Sequence, residues 1–192
     1  MKYFRYRSTN CFLVKSSNED RLLAIDAGWP CSLVEYARAL KSTGHHFNQI
    51  AWAVVTHFHM DHAGLIGEFI EKGIHCLIFE NQEEAIDPME RMILKTYKKY
   101  KNIDKERLIR VREDDSRNYF ENIGIHGEVL ITPGHSSDSI TFISDAHEAV
   151  IGDLYPIDLV MPDDTASLRS WELIKGKKAK YVYPSHAPIF EL

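Results

Sequence analysis

Residues 56–64 read Thr-His-Phe-His-Met-Asp-His-Ala-Gly and place three imidazoles and one carboxylate within six positions. Residues 50–55, which precede them, are an apolar run typical of a strand. Residues 63–72, which follow, carry apolar side chains at helical spacing. The stretch therefore lies in a predicted turn from a strand to a helix. Packing requires no such concentration of polar side chains, so we interpret this turn as functional.

The four polar side chains of this turn suit a metal ion. His57 and His59 are two positions apart on extended backbone and can point the same way, whereas Asp61 and His62 approach the same space from the start of the helix. Neutral imidazoles and carboxylates are ligands for zinc and similar first-row metals. The alternative is that these histidines are only hydrogen-bonded within the turn, but the density of ligand types favours a metal site.

The composition describes an ordinary globular protein. The chain has 192 residues, a formal net charge of -5, 44% hydrophobic residues and 27% charged residues. This length predicts a single domain over residues 1–192. The acidic balance disfavours nucleic acid as a partner, because phosphate binding depends on clustered cations.

Compartment and redox state are predicted from what the sequence contains. No apolar run reaches the length that crosses a bilayer, and residues 1–10 do not resemble a signal peptide. We therefore expect a cytoplasmic protein that does not bind membranes. Cys11, Cys31 and Cys76 lie in or beside apolar segments, which predicts free, buried thiols.

The order of predicted elements changes along the chain. Three short strands, at residues 2–7, 11–15 and 21–25, are joined by turn residues and predict an antiparallel meander. After them, helices and strands alternate, which indicates crossover connections and an α/β architecture. The predicted elements are helices at 32–41, 63–72 and 81–100 and strands at 50–55, 74–79, 108–111, 128–132, 140–143, 149–151 and 181–183.

Two charged segments have open interpretations. The predicted helix 81–100 is interrupted early by Asp87-Pro88 and is rich in lysine over residues 89–101. A solvated face, with cations near the negative end of the helix, is the favoured interpretation, and a lid for an anionic substrate is the alternative. Residues 112–118 form a charged turn region to which the pattern assigns no function.

Later in the chain, single metal-type residues follow strand ends. His135 follows Pro133-Gly134, Asp153 follows Gly152, and His186 follows Ser185. Rigid strand ends commonly carry chemistry in such folds. Asp26 also ends a strand, where it is either a turn former or a hydrogen-bond partner for a metal-bound histidine.

Together these motifs resemble the metallo-β-lactamase-fold hydrolase superfamily, which has a His-x-His-x-Asp-His motif followed by a later His, an Asp and a terminal His. The resemblance implies an α/β (α+β) fold, a four-layer αββα sandwich of two sheets between outer helices. It implies two divalent ions, most likely zinc, with iron or manganese as alternatives. The implied ligands are His57, His59 and His135 for one ion, Asp61, His62 and His186 for the other, and Asp153 as the bridge.

The resemblance also implies an activity. A dinuclear centre generates a hydroxide nucleophile, so we expect hydrolysis, with Asp61 orienting the nucleophile and Asp26 supporting the ligands. Tyr155 and Ser139 are candidates for hydrogen bonds to the developing oxyanion, with packing as the alternative role for each. The apolar residues in the loop 155–165 suggest a substrate with a hydrophobic part, although a loop that covers the core explains them as well.

The expected substrate is a small molecule with an ester, lactone or thioester bond. The family's glutathione thioesterases carry an additional C-terminal helical segment, and its transfer-RNA nucleases carry an RNA-binding arm; the sequence predicts neither. Departures from the family pattern at Ser185 and Asp138-Ser139 affect substrate identity more than metal binding.

Two other functions remain open from the sequence. Some relatives use positions equivalent to His57, His135 and Asp153 as a two-histidine, one-carboxylate iron site, which allows an iron-dependent persulfide dioxygenase. The complete second ligand set argues against it. The other possibility is a non-catalytic metal-binding protein, which the intact set of ligands also disfavours.

Overall fold

The computed structural model describes residues 1–192 and contains two β-sheets. The first sheet consists, in spatial order, of β1 (Lys2–Tyr6), β2 (Thr9–Lys15), β3 (Leu22–Ile25), β4 (Ile50–Val54), β5 (His75–Phe79) and β6 (Ile109–Val111). Strands β1 to β3 pair antiparallel, as the predicted meander requires, and β3 to β6 pair parallel. The pairing of strands in this sheet therefore changes from antiparallel to parallel at β3.

The second sheet is mostly antiparallel. Its strands are, in spatial order, β11 (Phe190–Glu191), β10 (Tyr181–Pro184), β9 (Glu148–Gly152), β8 (Ile140–Ser144) and β7 (Gly127–Ile131). Only β9 and β10 pair parallel. Six α-helices accompany the sheets: α1 (Leu33–Leu40), α2 (Met60–Ala63), α3 (Ile66–Glu71), α4 (Glu83–Thr96), α5 (Ser116–Asn122) and α6 (Thr165–Gly176).

Alternation along the central strands produces two cores. In β3, Leu22 and Ala24 pack into a cluster on the outer face of the first sheet, whereas Leu23 and Ile25 pack into a cluster between the sheets. Successive side chains of a strand point to opposite faces, and both faces of this sheet are covered. This explains why the parallel strands read as nearly continuous apolar runs.

The layers have the order predicted from the family resemblance. Tyr36 of α1, Phe69 of α3 and Ile93 of α4 cover the outer face of the first sheet. Trp171 and Ile174 of α6 cover the outer face of the second sheet. The predicted four-layer αββα sandwich is therefore confirmed.

The strand directions bring several carboxyl-terminal strand ends to one edge of the sandwich. Strands β3 and β4 are parallel in one sheet, and β9 and β10 are parallel in the other. Backbone hydrogen bonds join the two sheets at this edge, from Ile140 N to the Thr56 carbonyl (2.8 Å) and from Asn10 N to the Ser185 carbonyl (2.8 Å). Loops that follow these strands therefore start next to one another.

Two predicted helices differ from the observed ones. The helix predicted at residues 63–72 is two short helices, α2 and α3, separated at Gly64 and Leu65. The helix predicted at 81–100 ends at Thr96 and continues through Pro88. The missing N–H of proline removes one helical hydrogen bond, but Pro88 is exposed and the helix is anchored by buried Ile86 and Met89 on either side.

Two helices were not predicted. Part of the charged region 112–118 forms the start of α5, which Phe120 anchors in the core between the sheets. Helix α6 buries Trp171 and Ile174 together with the small polar Ser167 and Ser170, whereas its Leu173 is exposed. Its amphipathic pattern is therefore weak in the sequence, although Asp164 caps its first turn by accepting a hydrogen bond from Ser167 N (3.0 Å).

The three cysteines are free, as expected, but they are not all buried. Cys11 and Cys76 are buried and Cys31 is exposed, so the prediction of a buried thiol is wrong for Cys31. Its backbone has a φ of 57°, in a tight turn that presents the side chain to solvent. Among the helices, none has both the length and the apolar surface needed to traverse a lipid bilayer.

Gly67 allows a close approach that can be tested. A Cβ atom at this position of α3 would lie closer than 3.0 Å to the backbone carbonyl oxygens of Lys101 and Asn102. Because the obstacle is backbone, we expect Gly67→Ala to lower the free energy of unfolding by about 1–3 kcal/mol. Gly176→Ala is the matched control, since a Cβ there has open space. Urea unfolding measures both variants, and equal stabilities would contradict this account of the packing.

Candidate metal centre

All seven predicted ligands lie at the edge where the strand ends meet. His57 follows β4, and His59, Asp61 and His62 occupy the turn into α2 and its first residues. The other three follow strands of the second sheet: His135 follows β7, Asp153 follows β9 and His186 follows β10. Neither sheet alone contains the full set.

The ligand atoms form three overlapping groups. Within each group the ligand atoms lie within 4.8 Å of one another. The groups are His57, His59 and His135; His57, His62 and Asp153; and Asp61, His62 and His186. The first and last of these groups coincide with the two ligand sets predicted from the family resemblance.

Asp153 lies between those two sets. Its Oδ2 is 3.6 Å from His135 Nε2 on one side and 3.4 Å from His62 Nε2 on the other. Its Oδ1 is 3.4 Å from His186 Nε2. One carboxylate thus contacts members of both sets, as a bridging ligand must.

Unpartnered buried atoms provide a test of whether these residues fit metal ions. The buried atoms His57 Nε2, His62 Nε2 and Asp153 Oδ1 have no hydrogen-bond partner. A buried polar atom without a partner costs about 1–3 kcal/mol, and three of them converge here. A metal cation would bind all three atoms, with His62 giving up its Nε2 proton, so the donor set fits metal ions.

Asp26 holds the second ligand set in place. This fully buried carboxylate accepts hydrogen bonds from Thr56 N (2.7 Å) and from His62 Nδ1 (2.9 Å). It also accepts one from Ser185 Oγ (3.1 Å). With Nδ1 held in this way, Nε2 of His62 is directed toward Asp61 and Asp153. Asp26 thus contacts a candidate metal ligand, the arrangement that its predicted supporting role requires.

Asp138 supports the first ligand set in a way that the motif analysis missed. Its buried carboxylate accepts a hydrogen bond from the backbone N–H of Phe58 (2.6 Å), the residue between His57 and His59. Gln82 Nε2 donates to the Asp138 carbonyl (3.2 Å) and to that of Val55 (3.0 Å). The sequence had flagged Asp138 only as a departure from the family pattern.

Ser139 and Tyr155 differ in their relation to the centre. Ser139 is buried, and its hydroxyl lies 2.8 Å from that of Ser136, so it closes the turn that carries His135. Tyr155 is 54% exposed, and its ring centroid is 6.2 Å from that of His135. Of the two predicted oxyanion donors, only Tyr155 lines a pocket at the centre.

Three groups at the centre, His57, Asp61 and Asp153, have lowered pKa values. Burial and the neighbouring His62 lower the pKa of His57 to about 2, so this imidazole is neutral and free to bind a metal. Burial opposes the ionisation of Asp61, but the hydrogen bond from His186 and the charge on His62 lower its pKa to about 2. Burial also opposes the ionisation of Asp153, but the contacts with His186 and His62 outweigh this effect. The pKa of Asp153 is therefore lowered.

The pKa values of two histidines, His62 and His186, are raised. Burial disfavours charge on His62, but Asp26 and Asp153 raise its pKa to about 10. Contacts of its Nε2 with Asp153 (3.4 Å) and Asp61 (3.0 Å) raise the pKa of His186 to about 10. In the metal-free protein these imidazolium groups balance the carboxylates, so metal binding at this end of the centre exchanges protons for a metal cation.

Two pockets adjoin the centre. The larger one, about 630 Å³, opens beside His59 and Asp61 and extends along α4; we call it the methionine pocket. Its apolar wall consists of Phe58, Met60, Ala85, Pro88, Met89 and Met92. The smaller pocket, about 250 Å³, lies beside His135, Asp153 and His186. The candidate ligands therefore separate two cavities of different size.

Comparison with known proteins agrees with this geometry. Residues 5–186 match the family described as the metallo-beta-lactamase superfamily, and the chain belongs to this superfamily. It is 24% identical over 186 residues to Thioesterase pkgB of Emericella nidulans, covering 94% of this chain and 46% of that protein. It is 28% identical over 199 residues to Beta-lactamase-like protein 2 homolog of Caenorhabditis elegans, covering 98% of this chain and 59% of that protein. The chain thus spans about half the length of these relatives.

Solved structures share the fold at low sequence identity. The BLEG-1 B3 metallo-beta-lactamase superposes with a TM-score of 0.70 at 18% identity, covering 99% of this chain and 93% of that one. TTHA1623, described in a di-iron-bound form, superposes with a TM-score of 0.69 at 19% identity, covering 95% of this chain and 89% of that one. At these identities the likeness concerns the fold alone.

The supporting role of Asp26 gives a prediction for metal affinity. In Asp26→Asn, an amide group replaces an oxygen that accepts hydrogen bonds, so His62 loses part of its anchor. We expect zinc affinity at the weaker-binding position to fall about 10–100-fold. Competition with a chromophoric chelator measures this affinity, and circular dichroism verifies the fold. Asp20→Asn, at an exposed carboxylate far from the centre, is the control, and equal affinities in both variants would refute the role of Asp26.

Proposed function

We propose that this protein is a dinuclear metal-dependent hydrolase that cleaves an ester, lactone, thioester or similar bond of a small molecule. The observation that carries the proposal is the position of Asp153, whose two carboxylate oxygens contact histidines of both ligand sets. Membership of the superfamily and the thioesterase name of one relative support hydrolysis. Nucleic acid is not the proposed partner, in keeping with the acidic charge balance.

The proposed roles of the metal ligands follow from the ligand sets. His57, His59 and His135 would hold one ion, Asp61, His62 and His186 the other, and Asp153 would contact both. When bound, the two ions supply a water of lowered pKa and a Lewis acid for the scissile group. The nitrogen and oxygen donors suit zinc, which we propose, and they also suit iron or manganese.

Asp61 is the proposed positioning group for the nucleophile. Its Oδ2 accepts hydrogen bonds from His186 Nε2 (3.0 Å) and from Thr9 Oγ1 (3.2 Å). Because its pKa is lowered to about 2, the group is a carboxylate at neutral pH. It lines the methionine pocket as well as belonging to a ligand set. An ionised acceptor at this boundary is placed to orient a water toward a bound substrate.

Tyr155 is the proposed donor to the developing oxyanion. Its carbonyl accepts a hydrogen bond from Trp171 Nε1 (2.8 Å), which fixes the backbone after Asp153. The ring stands edge-on to His135 at the smaller pocket, and its hydroxyl is free of other protein hydrogen bonds. We do not assign this role to Ser139, whose hydroxyl contacts Ser136.

An iron-dependent oxidoreductase is the second candidate. The di-iron-bound form of the structural neighbour TTHA1623 favours iron on this fold. A persulfide dioxygenase needs only a two-histidine, one-carboxylate site. Here Asp61, His62 and His186 form a further complete group, which supports the hydrolase. Oxygen uptake with a persulfide substrate by the iron-loaded protein would favour the oxidoreductase.

Loss of Asp61 tests the hydrolase. The zinc-loaded protein is assayed on a panel of esters, lactones, thioesters, phosphodiesters and β-lactams. We expect turnover of at least one ester, lactone or thioester, its loss on chelation, and a decrease in kcat of at least about 100-fold in Asp61→Ala.

The control for this variant is Asp163→Ala, which removes an exposed carboxylate in the loop before α6. It is expected to keep wild-type kcat. Unchanged turnover in Asp61→Ala on every substrate of the panel would reject the hydrolase in favour of a metal-binding protein without this activity.

A further inference from the structure

The methionine pocket has the properties of a binding site for a flexible apolar group. Its volume of about 630 Å³ lies within the range of small-molecule sites. Met60, Met89 and Met92 form much of its wall, and Met92 is 53% exposed although it is apolar. Methionine side chains are unbranched and adaptable. The wall can therefore adjust to apolar chains of different shapes.

The charged residues of this pocket all have the same sign. Its lining includes the carboxylates of Asp61, Glu84 and Asp138 and contains no lysine or arginine. The lysine-rich segment 95–101 follows the opposite end of α4 and lines neither pocket. Asp61 belongs to a ligand set, so a bound metal cation would neutralise it, and Glu84 and Asp138 are the pocket's carboxylates outside the ligand sets. Away from the metal ligands the pocket therefore disfavours an anionic group, contrary to the alternative of a basic lid for anionic substrates.

Glu84 differs from its acidic neighbours on α4. Glu83 is paired with Arg110 (2.6 Å), and Asp87 is paired with Lys105. Glu84 lines the pocket and has no ion pair. The carboxylates directed toward β6 and its preceding turn are paired with basic side chains, whereas the one at the pocket has no such partner. Glu84 is thus the residue best placed to select substrates by charge.

The smaller pocket, beside His135, Asp153 and His186, is mostly apolar. Leu154, Tyr155, Pro156, Pro184 and Ala187 line it, together with the ligands His135, Asp153 and His186. Its volume of about 250 Å³ is less than half that of the methionine pocket, so it encloses only a compact group. A substrate whose scissile bond lies at the ligands can thus extend into two cavities, the larger methionine pocket and the smaller pocket.

We propose that the substrate is an ester or thioester with a long apolar acyl arm that carries no negative charge and occupies the methionine pocket. A compact alcohol or thiol portion occupies the smaller pocket. This inference rests on the proposed hydrolase function. In the reaction, water adds to the acyl carbon and the carbon–oxygen or carbon–sulfur bond breaks. The acyl arm leaves as a carboxylic acid, and the other portion leaves as an alcohol or thiol that has gained a proton.

The test uses thioesters of one small thiol, such as ethanethiol, with acyl arms of equal length that end in a methyl, trimethylammonium or carboxylate group. With the zinc-loaded protein, we expect kcat/KM for the methyl and trimethylammonium arms to exceed that for the carboxylate arm at least about tenfold. Glu84→Gln should reduce several-fold the ratio of kcat/KM for the trimethylammonium arm to kcat/KM for the carboxylate arm. Glu84→Lys should favour the carboxylate arm over the trimethylammonium arm.

Glu83→Gln is the matched control, because Glu83 is the adjacent carboxylate on the same helix but lies outside the pocket. It should keep the wild-type order of substrates. Equal kcat/KM for the three arms, or the same change of ratio in Glu83→Gln and Glu84→Gln, would overturn the assignment of this pocket.

Binding separates this inference from the proposed hydrolase. Calorimetry with the corresponding N-ethyl amides, which resist hydrolysis, should give the same order of affinities and the same effect of Glu84→Gln. If the amides bind in this order while no thioester is cleaved, the pocket assignment stands and the hydrolase is rejected. If thioesters are cleaved without charge preference, the hydrolase stands and the pocket assignment is rejected. Absence of both binding and cleavage rejects both.

Discussion

The buried carboxylate of Asp26 is the contact on which the rest of the structure depends. It follows β3 of the first sheet and accepts hydrogen bonds from Thr56, which follows β4, and from Ser185, which follows β10 of the second sheet. A buried carboxylate is costly unless donors surround it, and both sheets contribute such donors here. The same carboxylate holds the ring of His62. One group therefore contributes both to the packing of the two sheets and to the orientation of a candidate metal ligand.

The chemistry of the centre follows from this junction. Each sheet contributes only part of the set of candidate ligands. The full set is therefore assembled only where the edges of the two sheets meet. Asp153 is brought within 4 Å of histidines from both sheets. At this position the chain turns at Gly152, whose φ is 60° and where an added Cβ would meet the Thr56 side chain at 2.7 Å. The close approach of the sheets and the position of the Asp153 carboxylate thus have a common cause.

The candidate ligands stood out in the sequence because their residue types are rare in packed turns and recur after strands, and the structure brings all seven together at one edge. The meander and the following α/β arrangement were predictable because strand-type apolar runs alternate with helical ones, whereas the αββα layers were implied by the family resemblance. Asp138 and Ser185 were not recognised as supports, because their contacts with Phe58 and Asp26 join residues 80 and 159 positions apart. Helix α6 was missed because small polar residues fill much of its buried face. Such features depend on tertiary contacts that local patterns do not contain.

The central claim is that one chain binds two metal ions on the two ligand sets that Asp153 joins. Native mass spectrometry of the zinc-saturated, desalted protein measures this most directly, with His186→Ala as a variant that lacks a ligand of one set only. The account predicts two zinc ions per chain in the wild type and one in His186→Ala. At most one ion per wild-type chain under metal-replete conditions would contradict it.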